Sequence, residues 1–526
     1  MPLHPGTWHL LTAFGDSHAW VFNWLYERLA AGEDLSETFD AGYPQVRSVR
    51  FIGLAPAALF LLLRQGMEAL AAANLVQMLS LPLSALVAYS LLRRWTEANP
   101  WSASALAVAW ALGPTLLSTY GIGEISNTQA WVIPGGLLLM DRAATDGRWL
   151  LPLALFCFLG VFSSPYFGLA LPLMAGALAL VRVARGVGAR RFLLPGLMVA
   201  AVGLGMAPSG LYFAGHGPAG GDALFRPAQL MTLGPRLPFP PPVARPDALV
   251  WPSEPEPLSP FEPMHQSYLG FALLVVAAVS ARAGGRGRGA GLALAVGGAV
   301  LSLGPWLAWG ADYVRAAGMV FPLPVRLLEL AGYPTRMGGL YFRYAVLAEL
   351  GLVLLVASGP LGRRPAWAWA LLAVHLADSV WSTGPLWPRP AEEVPGLAQL
   401  RGLEGEDGAV LELPLQGPMD AAHGQGALLR ALFHGRPTSG LPRDVRPKET
   451  MLPGLIRRAL ATEPRAVLRE AGFRYVLLPE ALVPLLDVDG AALVQALGEP
   501  DQTGAYRVWD LGRTQIAPLP RPRGPQ

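Results

Sequence analysis

"ALAAANLVQMLSLPLSALVAYSLLRR" runs from Ala69 to Arg94. Residues 69–92 carry no charge, and two arginines close the stretch. An α-helix needs roughly 20 predominantly apolar residues to cross a bilayer. This run meets that length, and its basic end gives it a direction, because short basic loops stay in the cytoplasm. The rest of the chain has the same character. Of 526 residues, 52% are hydrophobic and only 15% charged, against roughly 25% charged in an average soluble domain. That is too little polar surface to cover a soluble globule of this size. The sequence reads as a polytopic α-helical membrane protein.

Outward from this run, further apolar stretches lie at about 103–119, 128–140, 149–162, 166–181, 192–213, 266–281, 289–308, 339–359 and 365–381. Together they predict about ten spans. The arginines fix the order of faces. Arg93 and Arg94 follow the first run, and Arg142 and Arg148 the third. Arg182, Arg185, Arg190 and Arg191 follow the fifth, Arg282, Arg286 and Arg288 the seventh, and Arg363 and Arg364 the ninth. All lie after odd-numbered runs and therefore on one face, the cytoplasmic one. The agreement holds only if 51–63, which is short for a span, is interfacial or re-entrant. Residues 1–50 then lie outside without a signal peptide before them. One further span upstream, eleven in all, is expected on topology.

The formal charge is +3, carried almost wholly by arginine, with Lys448 the one lysine. The single cysteine, Cys157, excludes an intramolecular disulfide and a cysteine-based metal site. From about residue 395 the pattern changes. "AVLELPL" (409–415) alternates like a strand, "AHGQGALLRALFHG" reads as a helix ending at Gly435, and "PRAVLREAGFRYVLLPEAL" as helix, glycine stop and buried strand. "LVQALGEP" and "AYRVWDLG" add a helix and a last strand. The expected organisation is an outside loop with an interfacial helix (1–50), a helical membrane domain (51–388), a small extracytoplasmic α/β domain (389–515) and a tail (516–526).

Candidate chemistry collects on the outside face. Asp16 precedes "SHAWVFNWLYERLAAG" and reads as its N-cap. Desolvated near lipid, the same carboxylate could serve as a general base. Asp40 lies in "TFDAGYPQVRSVRF", where Arg47 and Arg50 suit bidentate contact with a lipid phosphate. Glu124 and Asn127 share the short loop "GIGEISNT", while Arg336 and Arg343 flank the ninth run. Arg343 reads as snorkelling or as a charge facing a wet cavity, with Glu349 available to pair with it. For most of these residues a capping, anchoring or solvated-loop role is at least as good a reading as a chemical one. His423 and His434 are eleven apart, which is no standard metal spacing, and read as structural. There is no P-loop, dinucleotide fingerprint, zinc-protease or hydrolase-elbow motif.

The order of these motifs resembles bacterial multi-span proteins of the GT-C glycosyltransferase superfamily. The stretches that carry the likeness are "GDSHAWVFNWLYERLAAGEDLSETFDAGYP", "FIGLAPAALFLLL", "GIGEISNTQAWVIPGGLLLM", "SSPYFGL", "GYPTRMGGLYFRYAVL", "AVLELPLQGPMDAAHGQGALLRALFHGRPTSGLP" and "GFRYVLL". The resemblance implies an acid in the first outside loop as catalyst, Asp16 first and Asp40 second. It implies a polyprenyl-phosphate sugar as donor, with Arg47, Arg50 and Arg336 as contacts to its phosphate. The acceptor would be a glycan, lipid or protein of the cell envelope, reached from outside the cytoplasmic membrane. Two departures stand out: the first span is absent, and Glu124 replaces a histidine of the family pattern. No metal ligand set is assigned, a need for a divalent metal stays open, and no nucleic-acid partner is expected. A non-catalytic scaffold or lipid-binding protein of envelope assembly is the alternative. A transporter fits less well, since paired broken helices and inverted halves are not evident.

Overall fold

The computed structural model describes residues 8–9, 13–33, 35, 37–38, 47–48, 53–121, 125, 128–184, 190–206, 246–250, 267–309, 312–316, 319–330, 341–383, 389–390, 396–405, 407–414, 430–439, 451–486 and 488–514. Helix α1 (Ala13–Ala31) is followed by α2 (Leu54–Arg64), α3 (Ala69–Trp95), α4 (Pro100–Ala111), α5 (Pro114–Gly121), α6 (Val132–Thr145), α7 (Leu150–Ser163), α8 (Pro165–Ala184) and α9 (Arg190–Met206). After a short helix at Pro246–Val250 come α10 (Phe271–Ala283), α11 (Arg288–Ser302), α12 (Ala345–Ser358) and α13 (Pro365–Thr383). Each apolar run of the sequence contains one of these helices, except 103–119, which contains two. By length and composition, α3 is long and apolar enough to cross a membrane alone, and α4 with α5 passes as a bent pair.

That bend is 50°, and its cause is local. Gly113 ends α4, and Pro114 can neither donate to the preceding turn nor fit its ring inside a continuing helix. The other end of α4 is fixed by Asn99, whose side chain accepts the Trp101 N–H at 3.0 Å, with Pro100 in the first turn. Helix α2 is 11 residues long, roughly 16 Å at 1.5 Å per residue. That is about half the hydrocarbon thickness.

The bundle closes around α12, buried at every position. A helix apolar on all sides belongs inside other helices. Glycines let α11 approach it: a side chain on Gly298 would meet the Ala348 backbone, and one on Gly351 the Ala295 backbone. The outward faces are apolar too. Leu151 is 67% exposed, Leu180 71% and Val296 60%. A soluble surface does not carry so much exposed aliphatic area, whereas a lipid-facing one requires it.

The basic loops meet at one end. Arg94 pairs with Asp141, Arg363 donates to Glu97 at 2.7 Å, and the Asn99 N–H reaches the Gly362 carbonyl at 2.8 Å. Gly287 (φ +93°) lies so close to the Trp95 carbonyl and Ser358 hydroxyl that only glycine fits there. The loops after the first, third, seventh and ninth runs are thus neighbours, as their shared charge requires. The loop after the fifth run is outside the described residues.

The chain's last part forms a three-stranded sheet. Strand β2 (Phe473–Pro479) is central, parallel to β1 (Ala409–Glu412) and antiparallel to β3 (Tyr506–Asp510). Four consecutive residues of β1 are buried, the pattern of a strand covered on both faces. Helices α14 (Met451–Ala461), α15 (Pro464–Glu470) and α16 (Val488–Leu497) cover one side. Ile456, Leu468 and Leu493 pack there against Phe473, Val476, Leu478 and Trp509. Leu400, Leu403, Val410, Leu477 and Val508 fill the other side. Gly472 (φ +91°) makes the turn from α15 into β2.

Candidate functional site

The end of the bundle opposite the basic loops carries the candidate site. Helix α1 lies there, held by Trp20, Phe22, Trp24 and Leu25 against Ala57 and Phe60 of α2 and Ala72, Ala73 and Val76 of α3. Phe22 and Phe60 meet at 5.5 Å, and Trp20 stacks on Trp24 at 6.5 Å. This corrects the interfacial reading: these aromatics are buried in protein, not offered to headgroups. It also corrects the cap. The helix starts at Ala13, four residues earlier than expected, so Asp16 sits in its first turn.

Around α1 the polar groups are tied to neighbouring elements. Arg64, ending α2, donates to Asn23 at 2.9 Å and to the Met67 carbonyl at 3.0 Å, and lies over Tyr26. Gln77 of α3 donates to the Tyr120 carbonyl at 2.6 Å, fixing the exit of α5. Beyond it, Gln129 donates to the Ile125 carbonyl at 2.9 Å and accepts from Trp131 at 2.8 Å. The C-terminal part reaches the same place. Ala431 and Leu432, in the helical turn 430–434, pack into the cluster made by α1, α2, α3 and Ile125.

Residues of this turn belong to a second polar group. Glu412, at the end of β1, accepts from Arg430 at 2.9 Å. His434 accepts the Arg436 N–H on Nδ1 at 3.1 Å, so its Nε2 bears the proton when the ring is neutral. That nitrogen is 3.9 Å from Glu412 Oε1, beyond hydrogen-bond range. The sequence reading treated His434 as structural. Its burial agrees with that, and its closeness to Glu412 was not foreseen.

Of the other expected residues, Arg343 lies in the turn Tyr341–Tyr344 and is buried at 4% exposure, so it does not snorkel. Glu349 takes His375 of α13 as its hydrogen-bond partner, at 3.2 Å. The expected pairing of Glu349 with Arg343 fails on geometry, because six residues along a helix turn the second side chain well away from the first. Arg47 falls in a short antiparallel ladder, opposite Thr38. Asp40, Arg50, Glu124, Asn127, Arg336 and His423 lie outside the described residues. Among the described residues, no three His, Cys, Asp or Glu side chains could together hold a metal ion.

Sequence reasoning missed His375, Asp378 and Tyr268. Asp378 accepts from the Tyr268 hydroxyl at 2.9 Å and from the Phe271 N–H at 3.0 Å. A signal was available: "WAWALLAVHLADSVW" sets a histidine and an aspartate three apart within one apolar run. Ionisable residues at membrane depth mark function by default.

No protein-family model matches this chain, and no curated protein matches it. Among solved structures it is similar to the arabinofuranosyltransferase AftD from Mycobacteria, at 17% identity and a TM-score of 0.45, over 93% of this chain and 37% of that one. It is similar to the oligosaccharyltransferase of Archaeoglobus fulgidus in its apo form, at 12% identity and a TM-score of 0.44, over 94% and 70%. It is also similar to ArnT from Cupriavidus metallidurans in its apo state, at 12% identity and a TM-score of 0.40, over 97% and 95%. The chain spans 37% of the length of AftD. In the order of its motifs the sequence resembles the GT-C superfamily, and these are solved structures to which it is similar, at low identity.

Proposed function

We propose that this chain is a GT-C-like membrane glycosyltransferase. It moves a sugar from a polyprenyl-phosphate-linked donor to a hydroxyl of a cell-envelope acceptor, on the face opposite the basic loops. Asp16 takes the proton of the acceptor hydroxyl, and the acceptor oxygen attacks the anomeric carbon. The bond from that carbon to the phosphate oxygen breaks, and polyprenyl phosphate leaves with the electron pair. Arg47, Arg50 and Arg336 are assigned to stabilising the growing phosphate charge, since a guanidinium suits bidentate contact with phosphate. Asp40 is the second candidate base. Glu124, Asn127 and Arg343 are assigned to substrate binding. The C-terminal sheet domain helps to hold the acceptor.

One observation supports this reading above others: the helix that bears Asp16 is fastened by four buried apolar residues onto α2 and α3 at that end. A base on so fixed a helix keeps its place relative to the membrane, as positioned catalysis requires. The test uses full-length protein in liposomes with a panel of radiolabelled polyprenyl-phosphate sugars. Donor consumption by the wild type and its loss in Asp16→Asn, with folding intact, is the expected result. Donors that are neither consumed nor bound by the folded wild type would overturn the reading and favour a scaffold or lipid-binding role in envelope assembly.

A further inference from the structure

We infer that Glu349 and His375 form a proton-binding site inside the membrane domain, holding one proton between them. The site does not depend on the glycosyl-transfer reading. Both side chains are fully buried, Glu349 on α12 and His375 on α13, and Nε2 meets Oε1 at 3.2 Å. Glu349 lies four residues inside its helix and His375 eight from the end of its own, roughly 6 and 12 Å at 1.5 Å per residue. Among the described residues, the second carboxyl oxygen of Glu349 and Nδ1 of His375 have no hydrogen-bond partner.

The backbone is shaped for these two groups. A side-chain carbon on Gly113, at the α4–α5 bend, would overlap the Glu349 carboxyl. One on Gly270 (φ +83°), just before α10, would overlap the His375 imidazole. Two glycines therefore stand where any other residue would displace the pair. With backbone this close on two sides, the ligand that fits between carboxyl and imidazole is a proton.

The count of one follows from charge. With a single proton the pair is net neutral, whichever atom carries it. Without that proton a carboxylate stands alone in an apolar bundle, and with a second an imidazolium does. Either lone charge is costly at this depth. The packed elements bring few other ionisable groups to this level. Asp378 is one turn further along α13, bound by Tyr268 and the Phe271 N–H. Arg343 precedes α12, and Tyr120 ends α5. Helix α4 has no charged residue, and Arg282, Arg288 and Arg363 lie at the opposite, basic end. The protonated pair joins α12 to α13 across the α4–α5 bend, and α5 leads on to the loop of Glu124 and Asn127.

The test is thermal unfolding of the full chain in lipid nanodiscs across roughly pH 5 to 8, the range in which an imidazole changes charge. Four proteins are compared: wild type, His375→Gln, Glu349→Gln and the double variant. In His375→Gln, Glu349 must keep a proton of its own to stay buried, so the midpoint falls by about a few degrees as pH rises. In Glu349→Gln, the imidazole must stay neutral, so the midpoint falls as pH drops. The double variant has no proton to hold and keeps only the pH dependence of the rest of the chain, whereas the wild type falls above about pH 6.5, where the unfolded histidine releases the proton that the folded pair keeps. Opposite slopes in the single variants, and loss of the wild-type fall at high pH in the double variant, are the signature of a shared proton. Single variants parallel to the wild type at every pH would overturn the proposal, as would single variants lowered equally throughout. A variant too unstable at one end of the range is prepared at the other, and failure of both single variants at both ends would also overturn it.

Discussion

Gly113 and Glu349 compete for one volume. The Glu349 carboxyl occupies the place where a side chain on Gly113 would begin. Gly113→Ala must therefore push the carboxyl away from His375 or widen the α4–α5 bend. Overpacking of this kind costs about 1–3 kcal/mol. Glu349→Ala removes the obstacle, so the added cost of Gly113→Ala should fall below about 0.5 kcal/mol in that background. A double-mutant cycle on thermal stability in nanodiscs measures the coupling. Additive effects would show that the two residues do not contend for the space.

In the C-terminal sheet the sign of the pH dependence is set by Asp407. Its carboxyl is lowered from 3.8 to about 2, chiefly by the hydrogen bond from Arg474, while partial burial opposes the shift and Arg436 adds to it. A carboxyl lowered on folding stabilises the fold above its unfolded value, about 3.9. That stabilisation is lost as pH falls from there toward 2. Strands β1 and β2 should lose protection from hydrogen exchange over this window, after correction for intrinsic exchange rates. Asp407→Asn should be weaker at neutral pH and should flatten the acid limb. An unchanged acid limb in Asp407→Asn would place the sensitivity elsewhere.

The helices of the membrane domain were legible because apolar length is written in the chain itself. Residues 69–92 need no partner to declare a helix, and the arginines after alternate runs foretell which loops meet. The bend at Gly113 was also written, as the dipeptide Gly-Pro, but an apolar run on both sides concealed it. The partner of Glu349 was not legible. His375 is 26 residues away on another helix, and only packing brings the two faces together. Asp16 shows a third case. Its residue type is visible, but the start of its helix is not, because Ala13 and Phe14 carry no capping signal that competes with Asp16.

Arg436 should behave as a structural keystone of the sheet domain. It is 3% exposed. It donates to the carbonyls of Leu403, Asp407 (2.7 Å), Gly408 (3.1 Å) and Glu404 (3.3 Å), and to the Asp407 carboxylate at 3.1 Å. It also lies over the Tyr475 ring. Arg436→Ala strands several buried acceptors and one carboxylate, a loss on the order of 3 kcal/mol. Hydrogen exchange in β1 and β2 should speed up by roughly 100-fold. Arg436→Lys should recover only part of the loss, since an ammonium lacks the planar fork that spans these acceptors. Full recovery by lysine would show that charge alone matters here.

Ala431 ties the sheet domain to the end of the bundle that bears α1. It is 4% exposed, in one cluster with Trp20, Phe60 and Ile125. A glutamate there would bury a carboxylate among aromatic and aliphatic groups with no partner provided, which costs several kcal/mol unless the contact opens. Opening costs less, because the sheet domain has its own two-sided core and the bundle has its own. Ala431→Glu should therefore undock the domain without unfolding either part. Limited proteolysis of the full chain in nanodiscs should cut faster between α13 and β1, while both fragments stay folded. Ala431→Ser, small and neutral, should cleave like the wild type. If Ala431→Glu also cleaves like the wild type, the contact does not hold the two parts together, and any acceptor-binding role of the sheet domain would have to work without docking at α1.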